Sequence, residues 1–230
     1  MPLPECLQGK LKLPLIAAPM FLVSGPDLVV AACQEGIVGS FPTPNARTPA
    51  ILDEWLDDIT SRMADVSDAG PLAANLVVHP SNDRLEDDLA LVAKYKVPLV
   101  ITALGSPRKI VDRVHAYGGA VFADVNSVRF ARKAAEAGVD GLVLVAAGAG
   151  GHTGKMTGFS FVPAVREFFD GTIVLGGGIG DGRAIRAAEV LGADLAYMGT
   201  RFIATNESLA HTDYRQMLVD STVDDLILTN

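Results

Sequence analysis

One histidine in this chain follows an unbroken run of small residues. His152 lies in the stretch VAAGAGGHTG, residues 145–154, where alanines and glycines fill the six positions before the imidazole. An imidazole titrates near neutral pH, so it can take a proton from a substrate or hold the substrate by a hydrogen bond. Glycine lets a backbone approach a ligand closely. The stretch therefore predicts a ligand against the main chain beside His152; a loop histidine that only bonds backbone is the competing interpretation.

Two further glycine-rich stretches follow along the chain. GGGIGDGRAI, residues 176–185, joins an apolar run to a helical pattern, and MGTRF, residues 198–202, ends the next apolar run. Backbone N–H groups in such turns, together with a helix dipole, bind anions such as phosphate. The spacing fits neither a P-loop nor a Rossmann fingerprint. The pair predicts a phosphate site to which Arg201 could add charge; purely structural turns and an Arg201 salt bridge are the alternatives.

The elements that must position these stretches alternate regularly. Short apolar runs, each typical of a buried strand, are separated by seven amphipathic stretches typical of helices. The runs cover residues 13–20, 36–41, 71–78, 98–104, 119–125, 141–147, 172–178 and 195–200. Eight strands with nearly continuous apolar character favour an α/β fold, the (β/α)8 TIM barrel, over an open sheet. In such a barrel, the loops after the strands build the active site.

The end of the chain fits this barrel poorly. After the eighth run the sequence offers one helix-like piece and an apolar tail, so no convincing eighth helix remains. We expect one barrel domain over residues 1–230 that lacks its last helix, with residues 207–230 forming a partial C-terminal extension or lid. Further chain, a partner or a short segment would then cover the seam.

Composition excludes several classes of function. The 27 acidic and 19 basic residues give a net charge of −8 without a basic cluster, so no nucleic acid is expected as a partner. No apolar run is long enough to span a membrane and the start lacks a signal peptide, so a cytoplasmic protein without a membrane partner is expected. The four histidines lack metal-ligand spacing, so no metal is expected.

The motifs together resemble one enzyme family. AGAGGHTG, VLGGGIGDGRAI and VLGADLAYMGTRFIATNES, with PLIAAPM and ANLVV before them, are similar to the nitronate monooxygenases, formerly called 2-nitropropane dioxygenases. The likeness spans nearly the whole chain, although other FMN barrels share the phosphate part. It implies an FMN-dependent TIM-barrel oxidoreductase that uses O2 to oxidise an alkyl nitronate, or a nitroalkane, to a carbonyl compound and nitrite. A homodimer is left open.

The resemblance also assigns residues. It implies that His152 lies over the flavin near the substrate, as a base or as a substrate ligand. Asn75 would hydrogen-bond the polar edge of the flavin. The other positions implied to bind the cofactor by close backbone approach or through its phosphate are Ala18, Pro19, Met20, Ala149, Gly150, Gly151, Gly177, Gly178, Gly199 and Thr200.

One position departs from the family pattern. Some members carry a lysine near the end of the fifth strand, where this chain has Asp124. A lysine would stabilise negative charge on a reduced flavin, whereas a carboxylate would oppose it. An equally open interpretation is that Asp124 caps the helix starting near Ser127 or bonds loop amides.

Two other functions remain open at this stage. One is an NAD(P)H-dependent FMN enoyl-acyl-carrier-protein reductase or a related flavin reductase, which shares the cofactor and the loop containing His152. The other is a barrel without FMN that binds a phosphorylated metabolite.

Overall fold

Eight parallel strands form the centre of the molecule. The computed structural model describes residues 3–229. The strands are β1 (Leu15–Ala17), β2 (Gly39–Pro42), β3 (Leu72–Val77), β4 (Leu99–Ala103), β5 (Ala120–Val125), β6 (Gly141–Val145), β7 (Thr172–Gly176) and β8 (Leu195–Met198). Each lies within or overlaps one of the eight apolar runs, so the prediction of eight parallel strands is confirmed.

The sheet closes on itself almost completely. Its strand order is β1-β8-β7-β6-β5-β4-β3-β2 with every pair parallel. β1 meets the start of β2 through a single parallel bridge between Ile16 and Val38. The N–H of Ala17 donates to the Val38 carbonyl at 2.9 Å, and the Val38 N–H donates to the Leu15 carbonyl at 3.0 Å. The TIM-barrel prediction is therefore confirmed.

Helices follow the strands and pack around them. They are α1 (Pro26–Gln34), α2 (Pro49–Met63), α3 (Leu85–Lys94), α4 (Val111–His115), α5 (Val128–Ala135), α6 (Gly158–Arg166), α7 (Gly182–Leu191), α8 (Thr200–Ile203) and α9 (Thr212–Asp220). The first seven separate the eight strands as expected. α6 contains Pro163 in its interior.

Two apolar layers explain why the strands read as almost wholly apolar. One cluster fills the inside of the barrel, and a larger one lies between the strands and the helices. In β1, β2 and β7 every residue is buried. Strands covered on both faces carry apolar side chains on both, which removes the alternation of a half-exposed sheet.

The seam between the last and first strands is only partly covered. α8 has four residues, and none of the nine residues of α9 is buried. A cavity of about 610 Å³ therefore opens on the outside of the barrel beside α7 and α8, with Leu13, Ile185 and Phe202 in its wall. Among the described residues, the two helices that follow β8 bury none of their residues, so neither packs as an eighth barrel helix would. No helix among residues 3–229 is long and apolar enough to cross a membrane.

Candidate active site

The C-terminal ends of the eight strands lie at one end of the barrel, which we call the mouth. Side chains alternate between the two faces of a strand. The cluster of buried side chains inside the barrel shows which residues of the strands point inward. They include Val38, Ala73, Ile101, Phe122, Val143, Val174 and Leu195. Two residues further along each strand come the next inward positions, which we call the mouth positions: Ser40, Asn75, Ala103, Asp124, Val145, Gly176 and Tyr197. Active sites of this fold are built at this end.

The loops after β6 and β7 contact each other through their backbones. The N–H of Gly178 donates to the Gly148 carbonyl at 3.0 Å. Gly177 has a φ of +131°, and a Cβ there would come within 2.9 Å of the Ala147 carbonyl oxygen. A side chain at Gly177 would therefore push the loops apart. Because the Gly178 N–H is already used, Gly178 can offer a ligand close approach but not this donor.

The loop after β6 also reaches the end of β8. A Cβ on Gly150 would lie 3.4 Å from Oγ1 of Thr200. Gly199 faces the segment after β1, because a Cβ on it would lie 3.4 Å from Sδ of Met20. The structure thus brings together the predicted site residues after β1, β6, β7 and β8 on one side of the mouth.

The turn after β1 is fastened by a side chain that the sequence analysis missed. Nδ2 of Asn45 donates to the carbonyls of Met20, at 2.9 Å, and Ser24, at 2.8 Å. Its Oδ1 accepts the N–H of Leu22 at 2.9 Å, which helps to hold Leu22 at a φ of +64°. Asn45 therefore positions the predicted flavin contacts Ala18, Pro19 and Met20. The available signal was a single amide side chain in the proline-rich loop after β2.

Asn75 lies on β3, across the barrel from β7. The side chain is buried, and its Nδ2 donates to the Ile101 carbonyl at 3.0 Å. This bond fixes the orientation of the amide. Within residues 3–229 no group donates to its Oδ1, so that oxygen remains able to accept a hydrogen bond.

His152 projects from the loop after β6. The loop folds back on its own start, since the Ala147 N–H donates to the Met156 carbonyl at 2.7 Å and Thr153 Oγ1 donates to the Ala146 carbonyl at 3.1 Å. His152 is exposed, and its ring makes no hydrogen bond with any residue from 3 to 229. No backbone group among these residues therefore holds the imidazole, and its contact with a substrate stays a prediction.

Asp124 and Tyr197 occupy two mouth positions, and each has a buried polar atom that finds no hydrogen-bond partner among residues 3–229. Oδ1 of Asp124 and the hydroxyl of Tyr197 are buried without a hydrogen-bond partner. Burial raises the pKa of Asp124 to about 7. The pKa of Tyr197 is also raised, first by burial and then by the nearby Asp124 charge. The sequence analysis missed Tyr197 because its strand otherwise reads as core.

The capping role considered for Asp124 is wrong. α5 is capped by Ser127, whose Oγ accepts the N–H of Phe130 at 3.3 Å. The Asp124 side chain points into the barrel instead, because it follows the buried Phe122 by two positions on β5.

The start of α7 is less open to an anion than its glycines suggest. The Asp181 carboxylate caps the helix by accepting the Ala184 N–H at 2.9 Å, and this bond is the main cause that lowers its pKa. Nε of Arg201 donates to the Gly180 carbonyl at 3.1 Å. An anion at this turn would therefore contact the backbone between β7 and Asp181 rather than the first turn of α7.

The remaining histidines have local partners. His79 accepts the Ser81 N–H at 3.2 Å, as expected for a turn residue. His115 pairs with Asp140 at 2.8 Å at the opposite end of the barrel, and His211 caps α9. Across residues 3–229 no three His, Cys, Asp or Glu side chains are grouped as metal ligands.

Comparison with known sequences identifies the family. The sequence model of the nitronate monooxygenase family matches residues 80–230. A nitronate monooxygenase of Neurospora crassa is 36% identical over 129 residues, covering 52% of this chain and 34% of the relative. A longer match, 28% identical over 221 residues, is to the (3aS,4S,5R,7aS)-5-hydroxy-7a-methyl-1-oxo-octahydro-1H-indene-4-carboxyl-CoA dehydrogenase of Mycobacterium tuberculosis. It covers 94% of this chain, which spans 59% of that relative's length.

Solved structures agree with this assignment. FabK from Thermotoga maritima superposes with a TM-score of 0.86 at 28% identity, over 98% of this chain and 69% of that one. A nitroalkane oxidase from Streptomyces ansochromogenes superposes with a TM-score of 0.85 at 25% identity, over 94% of this chain and 73% of that one. Because the family match covers well over half of the sequence, the chain belongs to the nitronate monooxygenase family.

Proposed function

We propose that this protein is an FMN-dependent nitronate monooxygenase that oxidises alkyl nitronates with O2 to carbonyl compounds and nitrite. The observation that carries the proposal is the meeting of the glycine-rich loops after β6, β7 and β8 on one side of the mouth, with His152 projecting beside them. The family match supports the reaction class, and the resemblance supports the substrate.

The mouth fits FMN on two counts. Its loops leave main chain accessible to a ligand at Gly151 and Gly178, which face open space, since a Cβ on either would meet nothing within 4 Å. Its inner wall holds the unpartnered polar groups of Asp124 and Tyr197, which a polar ring edge would satisfy. When bound, FMN would supply the oxidation chemistry that no side chain here provides.

Each group of residues would hold a different part of the cofactor. The segment Ala18 to Met20 would pack against the ring, and Oδ1 of Asn75 would accept a hydrogen bond from its polar edge. The small residues after β6 would approach it closely: Ala149, Gly150 and Gly151. The phosphate would lie between the loops after β7 and β8, at Gly177, Gly178, Gly199 and Thr200. In this fold a phosphate is frequently bound between those loops.

His152 would act on the substrate. Its ring nitrogens are unpartnered among the described residues, so one can accept the proton on the carbon next to a nitro group. The same imidazole, once protonated, would hold the resulting nitronate by a charge-assisted hydrogen bond. O2 and a small nitronate are the partners this reaction needs. The homodimer and the lid over residues 207–230 remain predictions.

A second candidate is an NAD(P)H-dependent flavin enzyme acting on an acyl thioester. The similarity to FabK over nearly the whole chain, and to a dehydrogenase of a CoA thioester over 94% of it, favours this candidate. The two proposals share the cofactor and the mouth, and they differ in what reduces the flavin.

Anaerobic mixing separates the two functions. The flavin-loaded protein is mixed with an alkyl nitronate and, separately, with NADH or NADPH, while the visible absorbance of the flavin is followed. Bleaching by the nitronate supports the monooxygenase. Bleaching by the nicotinamide alone would overturn it and establish the second candidate.

A further inference from the structure

We propose that Asp124 and Tyr197 form a proton-bearing pair in the floor of the cofactor site, which binds FMN only while the Asp124 carboxyl group keeps its proton. The inference rests on the proposed function, because it assumes that FMN fills the mouth. It deepens that function by assigning a pH-dependent control of cofactor binding to Asp124, where some family members carry a lysine, and to Tyr197, to which the resemblance assigns no role.

The first observation is the lack of hydrogen-bond partners. Four buried side-chain atoms are unpartnered in the described part of the chain. Two are Nε atoms of arginines whose other nitrogens are bonded, Arg84 and Arg215. The other two are Oδ1 of Asp124 and the hydroxyl of Tyr197. Such groups are rare in native proteins because burying one without a partner costs about 1–3 kcal/mol.

The second observation is their placement. Both residues occupy mouth positions, so their side chains point into the barrel from β5 and β8. Neither side chain is fully buried, although the named atoms are, which leaves part of each facing the open mouth. Gly176 on β7 makes room for the phenol ring, since a Cβ there would lie 3.2 Å from Cδ1 of Tyr197. A ligand entering the mouth therefore meets both polar groups.

The third observation is electrostatic. The inward mouth positions on the strands from β4 to β7 other than Asp124 are Ala103, Val145 and Gly176, so Tyr197 is the titratable group that faces Asp124. Burial is the cause that raises the pKa of Asp124, with no contribution from any lysine, arginine or histidine. No nearby positive charge among residues 3–229 therefore stabilises the carboxylate.

A ligand over this pair must favour the protonated form. A flavin ring displaces water from the mouth, and loss of water raises the pKa of a carboxyl group further. The protonated carboxyl group and the phenol could each donate one hydrogen bond to an acceptor on a bound flavin. An ionised Asp124 would instead lie unpaired beneath the ring. Binding of FMN and binding of this proton are therefore linked.

The test follows the affinity for FMN as a function of pH. The flavin-loaded full chain is diluted, and the dissociation constant is obtained from the fluorescence of released FMN between pH 7 and pH 9. For the wild type we expect the constant to rise about 50-fold over this range, approaching tenfold per pH unit. Riboflavin, which lacks the phosphate, should give the same slope.

Three variants test which residue causes the pH dependence of FMN affinity. Asp124→Asn keeps the shape and hydrogen-bonding capacity of the side chain but cannot ionise. Its dissociation constant for FMN should therefore change less than threefold between pH 7 and pH 9. Tyr197→Phe should weaken binding at every pH and retain the slope. Asp57→Asn, which removes an exposed carboxylate on α2, should match the wild type. Thermal unfolding of each flavin-free variant confirms that it is folded.

The outcomes distinguish the inference from the proposed function. A slope that persists in Asp124→Asn, or a wild type whose affinity does not fall with pH, would overturn the inference while FMN binding stands. A wild type that binds no FMN at any pH would overturn both. If Asp124→Asn does not fold, Asp124→Leu takes its place and should likewise give no slope.

Discussion

Aspartates at the two ends of this barrel differ in their hydrogen bonding. At the end away from the mouth, Asp140 precedes β6 and accepts the Val121 N–H of the neighbouring strand at 2.7 Å. Asp194 precedes β8 and accepts the Ile173 N–H at 2.7 Å. At the mouth, Asp124 has no donor for its buried Oδ1.

Asp140 and Asp194 each also contact a side chain at the end of a helix. His115, the last residue of α4, contacts Asp140 at 2.8 Å, and Arg166, the last residue of α6, forms an ion pair with Asp194. The same arrangement therefore occurs twice: an aspartate just before a strand contacts the neighbouring strand and the last residue of a helix. The bottom of the barrel commits its polar groups to stability, whereas the mouth leaves polar groups free for a ligand. This division is the one expected of a TIM-barrel enzyme.

The largest expected effect is at the mouth. Replacing His152 by Asn should lower kcat/KM for a neutral nitroalkane by about 10²–10³-fold, because a general base typically contributes that much. Activity on the preformed nitronate should fall far less, since that substrate has already lost its proton. Steady-state assays on both forms provide the measurement.

His79→Asn is the control for this variant, since His79 lies on the same rim and bonds Ser81. It should leave both activities unchanged. Equal losses on the two substrate forms in His152→Asn would show that the imidazole only holds the substrate.

The next largest effect is expected on stability, at the end of the barrel away from the mouth. Asp194→Ala should lower the free energy of unfolding by about 3 kcal/mol, because it leaves the Arg166 guanidinium and the Ile173 N–H without their partner. Urea denaturation measures the change. Asp140→Ala should cost less, since its partner His115 is more exposed than Arg166. FMN affinity should not change in either variant; a loss there would break the division between the two ends.

Replacing the unpaired Asp124 should change the free energy of unfolding in the opposite direction. The pKa of Asp124 is raised from 3.8 to about 7 in the folded state, so its ionisation costs stability as pH rises through this interval. In the flavin-free protein Asp124→Asn should therefore raise the free energy of unfolding at pH 8 by about 2 kcal/mol, roughly half of what the shift implies, because the site is partly open.

The pH dependence is the control for that result. At pH 3 the carboxyl group is largely protonated in both the folded and the unfolded state, so Asp124→Asn should have almost no effect. Urea denaturation at both pH values makes the comparison. A variant less stable than the wild type at pH 8 would show that Asp124 makes a favourable contact.

The sequence predicted the barrel because its strands and helices carry strong, separate periodicities. It also predicted that the glycine-rich ends after β6, β7 and β8 would meet, since the fold brings all strand ends to one face. Tyr197 was missed as a site residue because its strand reads as core, and the room that Gly176 leaves for its ring depends on the pairing of β7 with β8. Asn45 likewise acts through bonds to residues more than twenty positions away.

Some local signals were present and were not used. Asp140 and Asp194 each end a short Gly-x-Asp pattern directly before a strand, at residues 138–140 and 192–194. No comparable pattern distinguishes the two roles considered for Asp124. An aspartate that caps the helix near Ser127 and one that points into the barrel have the same sequence around them. Only the strand register separates them.

The central claim is that the mouth binds FMN, and the purified protein tests it most directly. Its visible spectrum is recorded, the cofactor is released by heat, and the released compound is identified by mass and counted against the chain. The account predicts a yellow protein, or one that becomes yellow when FMN is added, with one FMN per chain. A colourless protein that takes up no FMN on reconstitution would contradict it.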